Sequence, residues 1–422
     1  MWLLRNSGRY KPEQYEVVHK WRGRIALWVE AEQYLSAYSK EELAAALEGR
    51  VRLPPREFSV EFGEIALRIP IPQKPWSDLA KPPPLFHVHA EIALPLRDVT
   101  KGRDQRFASP YAVVREFCDF LTVATGSYVI ADVPEGVAQP GTVGDRPYCP
   151  GATPRLPITE EWFRLDRKQE YVNLFERFMG LDWRRHAAFV DAFRCYRLAI
   201  GFAPISPSTA YLLLVSAVEA VADAFSAADP SFEDFPDQFR RAFQSWQNDH
   251  RVRPEVADSL KTRLLEAQKG LLGASRKFRQ VVANYLSPDF WERTPHVGLD
   301  PGRLDEHLRA VYDARSKFAH EALEFGIEVE TLGVAVLPCY AYDPATRRRR
   351  ETIQKVLTLD FFAKVTRAVL LAILRADHPA LEEEDVDPEN WLLGRGILEF
   401  PADMVAPTAL WVTNNPPGKA SG

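Results

Sequence analysis

The stretch Leu304-Asp305-Glu306-His307-Leu308-Arg309-Ala310-Val311-Tyr312-Asp313-Ala314-Arg315-Ser316-Lys317-Phe318-Ala319-His320-Glu321 decides how the rest of the chain is read. Leu304, Leu308, Val311, Phe318 and Ala322 follow the three- and four-residue rhythm of one buried helix face over residues 304–323, with one member missing. That rhythm puts the missing member at position 315, which is arginine. A guanidinium on a buried seam costs on the order of several kcal/mol unless it is paired or serves a purpose. Five residues later comes His320. At about 100° per residue the two side chains point roughly 140° apart, so they are neighbours that do not share one face. Ser316 and Lys317 lie about one turn before His320 and can line the same groove. The spacing R-x-x-x-x-H says little alone, so its surroundings must carry the reading.

Those surroundings read as helices. A helix is expected to be capped at Thr159-Glu160-Glu161 and to carry Trp162, Phe163, Leu165, Val172, Leu174, Phe175 and Phe178. Asp182 is expected to cap a second, bearing Phe189, Phe193, Tyr196, Leu198 and Ile200, which ends at Pro204 and Pro207. From Ser208, residues 211–225 are apolar nearly all round and therefore central, yet they include Glu219. A helical pattern covers 254–286. Residues 327–358 revert to alternation around Asp343-Pro344, the pattern of a β-hairpin. Asp360 is expected to cap a last apolar helix running through Leu374.

Upstream the character differs. Prolines crowd residues 54–160, including Pro82-Pro83-Pro84, and cut helices short. Between them, Phe58, Val60 and Phe62, and then Phe86, Val88, Ala90, Ile92 and Leu94, alternate with a second set of side chains, as half-buried strands do. Residues 15–30 read as extended through Ile25, Leu27 and Val29. Only 39–48 in this half reads as a helix, opening with Ser39 and Glu42 at capping-box spacing. The expected organisation is α+β: a β-rich recognition or regulatory domain over 1–155, a helical domain with a β-hairpin insertion over 156–377, and a surface-attached tail over 378–422.

Composition bounds the function. The chain has 422 residues, 46% apolar and 26% charged, which is ordinary for a globular protein and excludes a fibrous one. A net charge of −5 argues against a broad cationic surface for gripping nucleic acid, though not against a local basic cleft. No apolar run is expected to reach the roughly 18–20 residues of a membrane span, and Arg5 interrupts the opening apolar residues too early for a signal peptide. Cys118, Cys149, Cys195 and Cys339 lie far apart without metal-ligand spacing, pointing to a reducing, cytoplasmic setting and to no bound cofactor. Walker-type, dinucleotide-binding and serine-elbow motifs are absent from the sequence.

Arg315 and His320, with the glutamate-bearing helix Leu212-Leu213-Leu214-Val215-Ser216-Ala217-Val218-Glu219-Ala220 upstream, give residues 185–376 a resemblance to the HEPN superfamily, particularly its Apea-like branch. That resemblance implies a helical bundle whose late helix carries R-x(4–6)-H and a metal-independent endoribonuclease site, often completed across a homodimer. It implies Arg315 and His320 as the catalytic pair, with Glu219, Ser316 and Lys317 supporting. Ser316 stands where the family commonly has Asn or another polar residue, a mild departure. Similar proteins act in prokaryotic antiviral defence, some on tRNA, and the 1–155 region would then sense the trigger or dock a protein partner. The resemblance extends neither to that region nor to the hairpin.

The chemistry implied is specific. A 2′-hydroxyl attacks the neighbouring phosphate, His320 moves a proton near neutral pH, and Arg315 stabilises the extra phosphate charge. Beside this stands the structural reading, with Arg315 and Glu219 an ion pair and His320 an ordinary helix histidine. Arg347, Arg348, Arg349 and Arg350 can track an RNA backbone or simply solvate a turn. His87, His89 and Glu91 share a strand face that solvation explains better than metal binding. Two rival functions remain open at this level: a non-catalytic binding or dimerisation module, and a helper subunit of a nucleic-acid-guided defence complex.

Overall fold

Five antiparallel strands near the N-terminus and a larger set of helices make up the mixed α+β fold of the computed structural model. It describes residues 17–30, 37–48, 50, 52–70, 85–97, 107–108, 110–131, 163–226, 231–235, 237–321, 334–336, 338–343, 348–353, 356–378 and 398–399. The strands are β1 (Val17–Glu30), β2 (Glu57–Phe62), β3 (Ile65–Pro70) and β4 (Leu85–Arg97), with the short β5 (Phe107–Ala108) outside the sheet and β6 (Ile130–Ala131) at its edge. The sheet order is β2-β3-β4-β1-β6. Its period-two pattern is expressed at Ile25, Leu27, Val29, Val60, Phe62, Leu67, Ile69, Val88, Ala90, Ile92 and Leu94, which are buried, while Phe58 is half-buried and the Phe86 side chain lies outside the described part. Gly63, at φ +60°, closes the two-residue turn between Phe62 and Ile65, a conformation L residues rarely adopt.

Helix α1 (Lys40–Leu47) starts at Ser39 with a complete Ser39–Glu42 capping box, as the spacing requires. A second helix in this half, α2 (Pro110–Thr125), overturns the expectation that only 39–48 is helical there. Val113, Val114, Phe117, Cys118, Phe120, Leu121, Val123 and Ala124 are buried, and the polar stripe Arg115, Glu116, Asp119 and Thr122 at helical spacing is buried too except for Arg115, with Asp119 paired to Arg197. This helix joins sheet to bundle. Phe117 meets Phe62 of β2 at 5.1 Å, and Phe120 meets Phe175 at 5.3 Å and Phe193 at 6.0 Å. Each such aromatic pair adds about 0.5–1.5 kcal/mol beyond its buried area. Sheet and bundle consequently share one continuous hydrophobic core.

The bundle contains α3 (Lys168–Met179), α4 (Trp183–Phe202), α5 (Pro207–Phe225), α6 (Asp237–Asp249), α7 (Pro254–Tyr285), α8 (Pro288–Arg293), α9 (Leu304–Glu321) and α10 (Leu359–Arg375). The helix expected from Thr159 begins later. Residues 159–162 lie outside the described part, and Phe163 forms a parallel bridge with Val29 before a 3-10 turn leads into Lys168. Asp182 caps α4 as expected, accepting from the Arg185 amide at 3.0 Å. The start of α5 moves upstream to Ser206, whose hydroxyl accepts from the Thr209 amide, because Pro207 fits the first helical position rather than ending the previous helix. Thr358, not Asp360, is the N-cap residue of α10; the Thr358 hydroxyl donates to Asp360 within the first turn at 2.9 Å.

Helix α5 is central, packed by α4, α7, α9 and α10. It is also long and apolar enough to cross a membrane, contrary to the expectation that no run reaches that length, and half of it is buried inside the fold. The expected hairpin is present as β7 (Pro338–Asp343) and β8 (Arg348–Ile353), with Asp343 opposite Arg348; residues 322–333 and 344–347 lie outside the described part. Within the tail, β9 (Leu398–Glu399) pairs with β5.

Candidate functional site between α5 and α9

The apolar face of α9 packs as its spacing requires, with Leu304, Leu308 and Val311 buried and Phe318 against the core. The N-terminal end of α9 is pinned by Arg279 of α7, which reaches Asp305 at 2.7 Å and Asp234 at 2.9 Å. Arg276, one turn earlier on α7, joins Asp234 at 2.9 Å. Burial pushes the Asp234 carboxyl up, but the Ser231 amide and Arg276 outweigh it and hold the group below the usual carboxylate range. These anchors set the height of α9 against α5.

At that height Arg315 faces Glu219 across the seam, Nη2 to Oε2 at 3.0 Å. The side chains are 25% and 22% exposed, so the pair is shielded without being sealed. Tyr312, one turn before Arg315, is buried and donates its hydroxyl to the same carboxylate. Burial first, then the charge and hydrogen bond of Glu219, raise the Tyr312 phenol above its ordinary value. The Arg315 guanidinium also lies over the Tyr312 ring, 5.8 Å from its centroid, adding a cation–π contact. Glu219 is thus gripped by two residues of one helix face. A guanidinium carries five N–H donors, and the Arg315 Nε is buried without a hydrogen-bond partner among the described residues. Behind Glu219, on α4, the half-buried Cys195 thiol is pushed up to about 11 by burial, with Asp191 and Glu219 adding to it.

Arg315 and Glu219 are therefore brought together, while Ser316 is partly exposed and Lys317 exposed on the next positions of α9. His320 lies on α9, and its side chain lies outside the described part. Arg347 lies outside the described part; Arg348, Arg349 and Arg350 form the start of β8, where the backbone alone is described. On β4, His89 and Glu91 are half-buried between the inward Val88, Ala90 and Ile92, and Glu91 pairs with Arg22 at 3.8 Å. The His87 side chain lies outside the described part. Among the described residues no group of three or more His, Cys, Asp or Glu could hold a metal. Sequence reasoning missed Tyr312, although its position three residues before Arg315 on the same apolar stripe was a usable signal.

No family model, no curated protein and no solved structure matches this chain.

Proposed function

We propose that this chain is a metal-independent endoribonuclease of HEPN type, with Arg315 and His320 its catalytic pair, acting in prokaryotic antiviral defence. One observation supports it above the others: Arg315 sits on a seam between two helices with a quarter of its side chain exposed, anchored by Glu219 through Nη2. An arginine held by one edge keeps donors free for a phosphate, and loses less side-chain entropy when the phosphate arrives. In the proposed reaction a 2′-oxygen bonds to phosphorus while the bond from phosphorus to the 5′-oxygen breaks. His320 of one protomer takes the hydroxyl proton, and the same residue of a second protomer, charged, gives one to the leaving oxygen. Arg315 meets the charge that grows on the phosphate oxygens. The products are a 2′,3′-cyclic phosphate and a 5′-hydroxyl, and DNA is spared.

The test is incubation of the pure protein with total RNA in EDTA beside His320→Ala and Arg315→Ala. Cleavage that persists in EDTA and is lost in both variants supports the proposal; equal cleavage by all three proteins overturns it. The grip of Tyr312 and Arg315 on Glu219 favours a second reading, in which the charged seam only fixes helix register in a non-catalytic binding module. Under that reading both variants lose stability and no RNA is cut by any of them.

A further inference from the structure

Tyr312 touches both members of the Glu219–Arg315 pair and is itself fixed from behind. Its ring meets that of Phe278 on α7 at 5.5 Å, Phe278 meets Phe362 of α10 at 6.3 Å, and Phe362 stacks on Tyr211 of α5 at 5.1 Å. Phe278, Phe362 and Tyr211 are fully buried, and the Tyr211 hydroxyl donates to the Leu357 carbonyl at 2.9 Å. Four rings from four helices thus form one ladder. Packed at that density, they hold the Tyr312 ring at one position on the seam.

The ion pair in front of that ring is incomplete. An arginine facing a carboxylate often closes a fork of two parallel N–H···O bonds. Nε and Nη2 share one edge of the guanidinium, yet Arg315 gives Glu219 only Nη2, at 3.0 Å, and Nε stays buried without a hydrogen-bond partner among the described residues. A buried donor left unmade is costly, so something must hold the carboxylate off that edge. The Tyr312 hydroxyl draws on the same carboxylate. The other acid near Tyr312, Asp223, lies one turn further along α5 and is engaged by Lys277 of α7 at 2.9 Å. The Tyr312 ring also supports the guanidinium, 5.8 Å from its centroid.

We propose that Tyr312 is a positioning residue for Arg315: its hydroxyl keeps Glu219 from closing a fork on the guanidinium, which leaves the exposed quarter of Arg315 open to an incoming phosphate. The phosphate rests on the endoribonuclease reading; the restraint on the ion pair does not. Tyr312→Phe keeps the ring and deletes one donor. With Glu219 in place this variant is expected to lower kcat for RNA cleavage about tenfold and to change KM less than about threefold, because Arg315 is drawn away from charge that grows only in the transition state. In the Glu219→Gln background the same change is expected to leave kcat within about threefold, since a neutral amide cannot close a charged fork. A tyrosine that only packs would lower the unfolding midpoint and leave kcat alone. Equal kcat for wild type and Tyr312→Phe overturns the proposal, and so does an equal fall with and without the charge at position 219. If the wild-type protein cuts no RNA, the endoribonuclease reading falls and the ion pair itself decides. The non-additivity of Glu219→Gln and Arg315→Met in urea midpoints is then expected to be larger in the Tyr312→Phe background than in wild type, and an equal or smaller value overturns the proposal.

Discussion

Glu219 and Arg315, 96 positions apart in the chain, meet at 3.0 Å and tie the central helix α5 to α9. Tyr312 donates to the same carboxylate, so the contact is a three-residue unit rather than an isolated ion pair. Removing one member leaves another charge half-shielded without its counter-charge, whereas removing both leaves only a packing defect.

Glu219→Gln is therefore expected to cost about 1–3 kcal/mol, and the double change Glu219→Gln/Arg315→Met less than the sum of its two single changes. Urea denaturation of the four proteins gives the coupling, which is expected to be at least about 0.5 kcal/mol. Strict additivity would mean that the pair carries no stability of its own.

Arg315→Lys keeps the charge and loses the forked donors. With Glu219 still present the fold is expected to hold, and RNA cleavage to fall by about 10²-fold or more, because a point charge cannot meet two phosphate oxygens at once. A gel assay in EDTA reads the rate and thermal unfolding reads the fold. Cleavage at the wild-type rate would remove Arg315 from the chemistry.

The C-terminal end of α2 is closed by a residue from α10. Arg367 Nε donates to the Val123 carbonyl at 2.7 Å and Nη2 to the Ala124 carbonyl at 2.9 Å, satisfying two of the orphan carbonyls of the last turn. Gly126 follows at φ +75°, and a Cβ there would meet Arg367 Cζ at 3.2 Å. Gly126→Ala is expected to destabilise by about 1–2 kcal/mol, from left-handed strain together with displacement of the cap. Arg367→Ala is expected to cost a similar amount, and the two losses should not add, which denaturant midpoints will show.

His186 of α4 is buried against Phe178, ring centroids 4.3 Å apart, with Glu116 Oε1 of α2 3.4 Å from its Nε2. Burial lowers its affinity for a proton well below that of an exposed imidazole. The unfolded chain consequently binds more protons than the folded one below about pH 6.5, and stability falls as pH drops through that range. The slope is expected to approach about 1.4 kcal/mol per pH unit for one proton. Denaturation between pH 7.5 and 5.5 measures it, and His186→Phe should flatten it; an equal slope in that variant would place the titration elsewhere.

Strands, caps and helix faces with a strict period were legible from residues alone. The alternation at Ile25, Leu27 and Val29, the Ser39–Glu42 box and the Asp182 cap depend on neighbours within a few positions, and the fold realises each. The arginine on the buried face of α9 was legible for the same reason. Helix α2 carries a helical spacing of polar residues at Arg115, Glu116, Asp119 and Thr122 within a proline-rich stretch, and what the residues alone did not tell is that Glu116, Asp119 and Thr122 are buried.

What local sequence determined here is the pattern of each element and the oddity of Arg315, since propensity, capping and amphipathicity act over one or two turns. What only the tertiary structure decided is that Glu219 and Tyr312 hold Arg315 from one edge, and that α2 joins sheet and bundle into one core. Those relations join residues far apart in the chain, and their free energy comes from desolvation and close packing, which exist only after the elements have met.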